Sequence, residues 1–149
     1  YEEPSSFKKT LITLNTPIVA SQLAGDFVLP KDPSIKLVFV AGGIGITPYR
    51  SMIKYLIDTK QTRDINLIYI NKTANEAVYK DVLDYVKTIY INTSVTGHLD
   101  ADTIVKNIFD YQSRAWYISG PHNMVTATEE LLKSMGIKNL KTDFFPGLV

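Results

Sequence analysis

The chain has 149 residues, of which 45% are hydrophobic, and this combination predicts one globular domain with an apolar core. The formal net charge of +1 gives no reason to expect broad electrostatic attraction to nucleic acid. The absence of cysteine excludes disulfide scaffolds, thiolate metal sites and cysteine nucleophiles. No apolar run reaches the roughly 18 residues that a spanning helix needs. We therefore expect a cytoplasmic protein. Attachment of a longer form of the protein to the cytoplasmic face of a membrane is an open alternative.

Residues 1–34 have weaker patterning than the rest of the chain. The sequence begins at Tyr1 rather than at a methionine, and we interpret it as a piece of a longer protein. Short apolar runs at Leu11–Leu14 and Phe27–Leu29 predict two short strands, and the Pro30–Ser34 stretch predicts a turn. We expect residues 35–149 to form the main domain.

From Lys36 onward, strand and helix patterns alternate along the chain. The predicted strands are Lys36–Ala41, Asn66–Ile70, Thr88–Val95, Ala115–Ser119 and Asn139–Phe144. This alternation predicts a doubly wound α/β fold, in which a mostly parallel five-stranded sheet carries helices on both faces. The loops that follow parallel strands meet at one edge of such a sheet, where ligands bind.

Helical spacing and capping residues predict four helices between these strands. Apolar residues are spaced helically over residues 49–57, 78–86, 104–109 and 121–135. Thr73 and Glu76 form a candidate capping box for the second helix, and Asp100 is a candidate cap for the third. Gly136 is suited to end the fourth helix.

A glycine-rich turn directly follows the first main-domain strand. Gly42, Gly43 and Gly45 have no Cβ, so a ligand can approach their backbone closely. Thr47 is a candidate N-cap, and Pro48 suits the first position of the next helix. Backbone N–H groups at such a helix start favour a phosphate, so this turn predicts a pyrophosphate site. The sequence is neither the usual dinucleotide fingerprint nor a P-loop, and a purely structural turn is the alternative.

A second strand–turn–helix pattern lies at residues 117–124. Ser119 offers a small hydroxyl at the strand end, and Gly120 and Pro121 form the turn that leads to Met124. If its strand lies near the first, both helix starts face the same edge and can share one ligand. The alternative is an ordinary turn between a strand and a helix.

Two further segments complete the candidate site. Asn71 and Lys72 follow the second main-domain strand, where doubly wound folds meet the adenosine ribose. No acidic residue is expected at this point, so Lys72 could instead face a 2′-phosphate; a solvated lysine is the alternative. Asp143 and Phe145 follow the last strand at the same edge, and Phe145 could cover a flat ring.

His98 and His122 are far apart in sequence without clustered carboxylates, so we expect no metal site.

Taken together, these motifs resemble the nucleotide-binding half of the ferredoxin–NADP reductase superfamily. AGGIGITPYRSMI (residues 41–53) resembles the pyrophosphate loop and first helix of that family, and YISGPHNM (117–124) resembles its second nucleotide loop. DFFPGL (143–148) resembles the terminal motif, and LAGDFVLP (23–30) resembles the last strand of the preceding flavin barrel. The resemblance extends from about Leu11 to the end of the chain.

The resemblance implies an NAD(P)H-binding domain that positions nicotinamide for hydride transfer to FAD. It assigns Gly43, Gly45, Thr47, Pro48, Gly120, Pro121 and Met124 to cofactor binding, and Thr47, Ser119, Asp143 and Phe145 to the reacting rings. Gly42, Asn71 and Lys72 are further cofactor-binding candidates from their positions after the first and second main-domain strands. Residues 1–34 would then be the tail of an FAD-binding barrel and a linker, with remnant strands of that barrel. Ser119 replaces the cysteine of the family motif, Leu148 replaces its aromatic residue, and the flavin motif Arg-x-Tyr-Ser/Thr is not in the chain.

The implied partners are a nicotinamide dinucleotide, the FAD-binding domain of the same chain and an unknown electron acceptor, without nucleic acid. We expect the piece alone to bind the dinucleotide weakly and to be inactive without its flavin partner. Two alternatives are a non-redox nucleotide-binding module, for example a methyltransferase, and a protein-interaction module. A methyltransferase usually has an acidic residue where this chain has Asn71, and an interaction module leaves the glycine turns unexplained.

Overall fold

The computed structural model describes residues 5–19 and 25–145, apart from the side chains of Lys8 and Phe145. A five-stranded sheet organises the chain, with strands in the order β3-β2-β1-β4-β5 and every pairing parallel. The strands are β1 (Leu37–Gly42), β2 (Ile65–Asn71), β3 (Lys87–Asn92), β4 (Ala115–Pro121) and β5 (Leu140–Phe145). The predicted doubly wound fold is confirmed.

Helices cover both faces of this sheet. The helices are α1 (Ser6–Thr13), α2 (Ile46–Asp58), α3 (Lys80–Leu83), α4 (Thr93–Thr96), α5 (Ala101–Asn107) and α6 (His122–Ser134). The two cores are built with α2 and α3 on one face and α5 and α6 on the other, whereas α1 is exposed. Alternate residues of β1 enter opposite cores: Phe39 packs with α2 and α3, whereas Val38 and Val40 pack with α5 and α6. All six residues of β1 are buried, as expected for a central strand covered on both faces. No helix in the described ranges is both long and apolar enough to cross a membrane.

The order of the strands creates a switch point between β1 and β4. The chain moves outward from β1 through β2 to β3, then crosses back to place β4 on the other side of β1. In open α/β sheets, ligands bind beyond the carboxyl ends of the strands at such a point. Here those ends are the two predicted glycine turns, because Ala41 lies opposite Ser119 in the sheet register.

Ion pairs around the buried Arg114 tie the opposite, amino-terminal edge of the sheet together. Arg114 is only 5% exposed and donates from Nε to Asp110 Oδ1 at 2.6 Å and from Nη1 to Asp64 Oδ1 at 2.7 Å. Its Nη1 also donates to the Leu37 carbonyl oxygen at 3.3 Å. Hydrogen bonding from Arg114 lowers the pKa of Asp110 to about 2. A hydrogen bond from Lys36 Nζ to Asp110 Oδ2, at 2.9 Å, contributes to the same lowering. The cluster therefore joins the starts of β1, β2 and β4 away from the candidate site.

The N-terminal strand predictions are wrong. Leu11–Thr13 belong to the exposed helix α1, and Phe27–Leu29 form no strand. Residues 25–35 instead pack on the α2 face of the sheet. The ring of Phe27 meets Tyr117 edge-on at 5.2 Å between centroids, and the Tyr117 hydroxyl donates to the Val28 carbonyl oxygen at 2.9 Å.

Three local predictions need correction and two are confirmed. The strand expected over residues 88–95 ends at Asn92, where α4 begins. The helix expected over 78–86 is confined to α3, because Tyr79 has a left-handed φ of 60°. The capping pair Thr73 and Glu76 serves a single 3-10 turn at Ala74–Glu76 rather than that helix. Asp100 does cap α5, accepting from the Thr103 N–H at 2.8 Å, and Gly136, with φ of 81°, follows α6 as expected.

Candidate nucleotide site

The two predicted glycine turns lie side by side at the carboxyl edge of the sheet and touch. A Cβ added to Gly45 would lie 2.1 Å from the Ser119 carbonyl oxygen and 2.7 Å from the Gly120 Cα. Gly45 has an ordinary helical φ of −60°, so glycine is required here for close backbone approach rather than for conformation. The placement of both turns at one edge is confirmed, but no open gap separates Gly45 from Gly120.

The thioether methyl of Met124 packs over the other two glycines. A Cβ on either Gly42 or Gly120 would lie 2.5 Å from Met124 Cε, and Gly120 also has a positive φ of 155°. The Thr128 hydroxyl donates to Met124 Sδ at 3.4 Å and helps to fix this side chain. Met124 and Pro121 therefore close the α6 side of the junction between the turns.

Two long helices start at this edge without a side-chain cap. A 3-10 turn, Gly43–Gly45, leads directly into α2 at Ile46, and neither Gly45 nor Pro121 caps its helix through a side chain. The Ile46 N–H donates to the Gly43 carbonyl oxygen within the 3-10 turn and Pro48 has no N–H, so the α2 start offers an anion chiefly the positive end of its dipole. The first N–H groups of α6 have no partner within their helix, so that start offers donors as well.

The prediction that Thr47 is the N-cap of α2 is wrong. The helix begins at Ile46 with Gly45 at the N-cap position, two residues earlier than predicted, and the Thr47 hydroxyl donates to the Ile44 carbonyl oxygen at 3.1 Å. Pro48 lies within the first turn, where it has no hydrogen bond to lose. Thr47 and Pro48 are both partly exposed at the sheet edge.

Open space at the site lies outside the contact between the turns. Gly43 is exposed, has a left-handed φ of 50°, and has no atom within 4 Å of an added Cβ. On the α6 side, a largely apolar cavity of about 400 Å³ adjoins Met124, and is lined by Ile70, His98, Leu99, Pro121, Asn123, Met124, Ala127 and Thr128. The turns thus present an accessible outer surface that continues toward the end of β2.

Ser119 carries a buried hydroxyl without a partner. The residue is fully buried, and its Oγ has no hydrogen-bond partner among the residues that the structure describes. Buried polar atoms are nearly always hydrogen-bonded, so an orphan at the switch point suits a ligand group that supplies the bond. Asp143 lies opposite Ser119 in the β4–β5 register and Phe145 lies opposite Pro121, so the backbone brings both to this edge. The Phe145 side chain and residues 146–149, including Leu148, lie outside the described part.

The end of β2 brings Asn71, Lys72 and an unexpected carboxylate together. Asn71 is 6% exposed, and its Oδ1 has no partner in the described ranges, whereas Lys72 is exposed. Glu76 folds back so that its Oε2 accepts from the Lys72 N–H at 3.2 Å and its Oε1 from the Thr73 hydroxyl at 3.1 Å. The expectation that no acidic residue lies here is therefore wrong.

Sequence reasoning missed several residues around the site. His98 and Leu99 line the cavity beside Met124 although they come from the loop after α4. Tyr49 is fully buried beneath β1 and donates from its hydroxyl to the Val40 carbonyl oxygen at 3.2 Å; burial raises the pKa of its hydroxyl. The helical spacing of apolar residues in α2 includes Tyr49 and could have indicated that this tyrosine is buried. No local sequence pattern pointed to His98.

Comparison with known proteins identifies a family for most of this fold. Residues 39–130 match the model of the oxidoreductase NAD-binding domain. The flavohemoprotein of Oceanobacillus iheyensis is 26% identical over 148 aligned positions, which cover 89% of this chain and 36% of the relative. The NADH oxidoreductase HCR of Escherichia coli is 25% identical over 131 positions, covering 84% of this chain and 41% of the relative. The chain thus spans well under half the length of these relatives.

Solved structures share the fold. A flavohemoglobin from Malassezia yamatoensis, with bound FAD and heme, superposes with a TM-score of 0.72 at 23% identity, over 91% of this chain and 40% of that one. The ferredoxin-NADP+ reductase of Plasmodium falciparum superposes with a TM-score of 0.63 at 22% identity, over 82% of this chain and 57% of that one.

Proposed function

Because this chain belongs to the oxidoreductase NAD-binding domain family and is the NAD(P)H-binding domain of a ferredoxin reductase-type oxidoreductase, we propose that the whole protein transfers hydride from NAD(P)H to FAD. Electrons then pass to a further acceptor. The alternatives of a methyltransferase-like module or a pure interaction module are not favoured, since the family match includes both glycine turns.

The first turn holds the pyrophosphate in this proposal. Gly43 exposes its backbone at the start of the 3-10 turn, and α2, which follows that turn directly, supplies the positive end of its helix dipole. Gly42, Gly45 and Gly120 contribute by letting the two turns pack without side chains between their backbones. Thr47 and Pro48 shape the same helix start, and Pro121 and Met124 form the wall on its α6 side.

The nicotinamide end lies at Ser119. The single observation that carries this assignment is the fully buried Oγ without a partner at the end of β4. A carboxamide both donates and accepts hydrogen bonds, so it would satisfy this hydroxyl once the packing that buries Ser119 opens for the ring. Asp143 and Phe145 follow on the neighbouring strand and would border the reacting rings. Asn71 and Lys72 take the adenosine end, two strands away from Ser119.

The chain's contribution to the reaction is positioning rather than acid–base chemistry. FAD supplies the electron-accepting ring, which takes the hydride and its two electrons as NAD(P)H becomes NAD(P)⁺. The residues of this chain bind the dinucleotide, orient its nicotinamide and exclude water from it. A site of glycines, threonine and serine suits that task.

The remaining assignments concern the whole protein. Residues 1–34 form the tail of the FAD-binding domain and a linker, of which residues 25–34 lie along the nucleotide-binding domain. That domain, at 35–149, works with the FAD-binding domain of the same chain in the cytoplasm. The acceptor is a redox partner, and nucleic acid is not one of its ligands.

Flavin reduction in the whole protein tests the proposal. On mixing with NADH or NADPH, we expect the absorbance of the oxidised flavin to bleach, whereas this chain alone should bind dinucleotide weakly in a calorimetric titration without turnover. A chain that binds neither NADH nor NADPH at millimolar concentration would contradict the proposal.

A further inference from the structure

Strand β3 is an open edge of the sheet. It lies at one end of the strand order, and in the described ranges it pairs with β2 alone. Natural sheets usually protect such an edge with charges, proline or a bulge, because its unpaired N–H and C=O groups can bind another strand. Within β3 only Lys87, its first residue, is charged, and the Lys87 Nζ donates to the Asn107 carbonyl oxygen at 2.8 Å. Residues 88–92, with the sequence TIYIN, therefore leave their outer backbone edge unprotected.

The opposite edge of the sheet is protected by charges and by the chain itself. Strand β5 contains Lys141 and Asp143, and the segment 25–28 lies beside it. The Lys141 ammonium donates to the Asp26 carbonyl oxygen at 2.8 Å. The segment that leads into the main domain thus lies on the β5 side, whereas β3 is the strand farthest from β5. The open edge faces away from the chain that precedes the domain.

Large apolar side chains are exposed along the β3 edge. Tyr90, within the strand, is 44% exposed, and Val95, in α4 just after the strand, is 78% exposed. Phe109 is 88% exposed and is close in sequence to Asn107, which Lys87 ties to the start of β3. Exposed apolar groups that line one side of a molecule are typical of an interaction surface.

An antiparallel copy of the same strand complements this edge. A two-fold axis perpendicular to the sheet and through Tyr90 leaves each side chain on its own face and places Tyr90 opposite its counterpart. Thr88 then lies opposite Asn92. Ile89 likewise lies opposite Ile91. Aromatic and β-branched cross-strand pairs are favourable, and no two like charges oppose each other in this register.

The charges of the segment before β3 are complementary in the same arrangement. Lys80 lies toward the end of β3, because it lines a cavity of about 230 Å³ together with Asn92. Asp84 lies toward the start of the strand, because the carbonyl oxygen of the preceding Leu83 accepts from the Thr88 hydroxyl at 3.0 Å. Both charged side chains are exposed. Since the copy runs in the opposite direction, Lys80 of each chain lies on the side of Asp84 of the other.

We propose that two copies of this protein associate by antiparallel pairing of their β3 strands, which joins the two sheets into one across a two-fold axis. The pairing also brings Phe109, near the start of β3, toward the end of the second copy's strand, where Val95 is exposed. The proposed dinucleotide site lies at the ends of β1 and β4 and takes no part in this contact. The inference is therefore independent of the proposed function.

Sedimentation velocity of the whole protein, from about 1 μM to about 1 mM, tests the inference, since contacts of modest area dissociate in this range. The unaltered protein should shift from monomer to dimer as its concentration rises. Tyr90→Lys places two like charges across the axis and removes an aromatic pair, so the dissociation constant should rise about tenfold. Tyr55→Lys, at an exposed tyrosine of α2, is the matched control and should sediment like the unaltered protein.

A mixing experiment tests the register. Tyr90→Glu alone should also weaken the dimer about tenfold, because it opposes two negative charges. An equimolar mixture of the Tyr90→Lys and Tyr90→Glu variants should recover association, because position 90 of one copy faces position 90 of the other. Asp84→Lys, at an exposed position, should weaken the dimer several-fold and decides the matter if circular dichroism shows that a Tyr90 variant is unfolded.

Three results would overturn the inference. The first is an unaltered protein that stays monomeric at every concentration. The second is a dimer that neither a folded Tyr90→Lys variant nor Asp84→Lys weakens, since the copies would then meet through another surface. The third is a mixture of folded Tyr90→Lys and Tyr90→Glu variants that associates no better than either variant alone.

Discussion

Gly45 and Ser119 meet through their backbones, and an added Cβ on Gly45 would lie 2.1 Å from the Ser119 carbonyl oxygen. This contact joins the turn after β1 to the turn after β4 at the switch point of the sheet. The same residues therefore set both the packing of the strand ends and the shape of the proposed nucleotide site.

Gly45→Ala should destabilise the fold as well as the site. The new methyl must displace backbone rather than a flexible side chain, so we expect the free energy of unfolding to fall by about 1–3 kcal/mol. Urea denaturation followed by circular dichroism measures this change. An unchanged denaturation midpoint would show that the two turns are not in contact. The packing also means that a Gly45 variant cannot separate loss of binding from loss of local structure.

Gly43→Ala tests binding at the same turn without a packing clash. Gly43 has a left-handed φ of 50° and open space around an added Cβ, and Gly136 after α6 combines φ of 81° with similar space. Both alanine variants should lose about 1 kcal/mol of stability from backbone strain. Only Gly43→Ala should weaken NADH binding, because its methyl occupies the approach to the helix start. Equal NADH affinities of the two variants would contradict the pyrophosphate assignment.

Ser119→Ala should separate function from stability. Removing a buried hydroxyl that has no described partner should leave the free energy of unfolding unchanged or raise it by about 1 kcal/mol. The rate of flavin reduction by NADH in the whole protein should fall about tenfold, since the nicotinamide loses a hydrogen bond. Thermal denaturation and rapid-mixing absorbance measure the two effects. A variant that loses stability but reduces flavin at the original rate would show a structural role for Ser119 instead.

Asp110→Asn should lower stability in a pH-dependent way. Arg114 holds the pKa of Asp110 at about 2 in the folded state, below its ordinary value of 3.8. The stabilisation is therefore complete above about pH 4 and is lost as the pH falls toward 2. At pH 7 we expect a loss of about 2–3 kcal/mol, because the buried Arg114 keeps Asp64 as its remaining partner.

Urea denaturation of both proteins between pH 7 and pH 2 checks this prediction, with Asp58→Asn on the exposed surface of α2 as control. The difference between the unaltered protein and Asp110→Asn should shrink below pH 4. A difference that stays constant to pH 2 would contradict the assigned ion pair. NADH affinity at pH 7 should not change, since the cluster lies at the opposite edge of the sheet.

Local patterns sufficed to predict β1, β4 and the turns after them, because buried strand runs and glycine clusters are contiguous in sequence. The same patterns failed for Leu11–Leu14, since a short apolar run does not distinguish a strand from a helix. They also overextended α3, where the left-handed backbone of Tyr79 prevents an earlier start.

Contacts made by chain folding could not be predicted in this way. The Arg114 cluster joins side chains from three separate segments of the chain, at Lys36, at Asp64 and at Asp110 with Arg114. The direct contact between Gly45 and Ser119 likewise required the strand order, which places β4 beside β1.

The most direct test of the account follows the backbone amides of the isotope-labelled protein by NMR while NADH is added. The largest shifts should occur at Gly43, Ile44 and Gly45 and at Gly120, with smaller changes near Asn71. Amides at the amino-terminal edge, such as Leu37 and Arg114, should not move. Saturable NADH binding that leaves the Gly43–Gly45 amides in place would contradict the claim that the paired turns hold the dinucleotide.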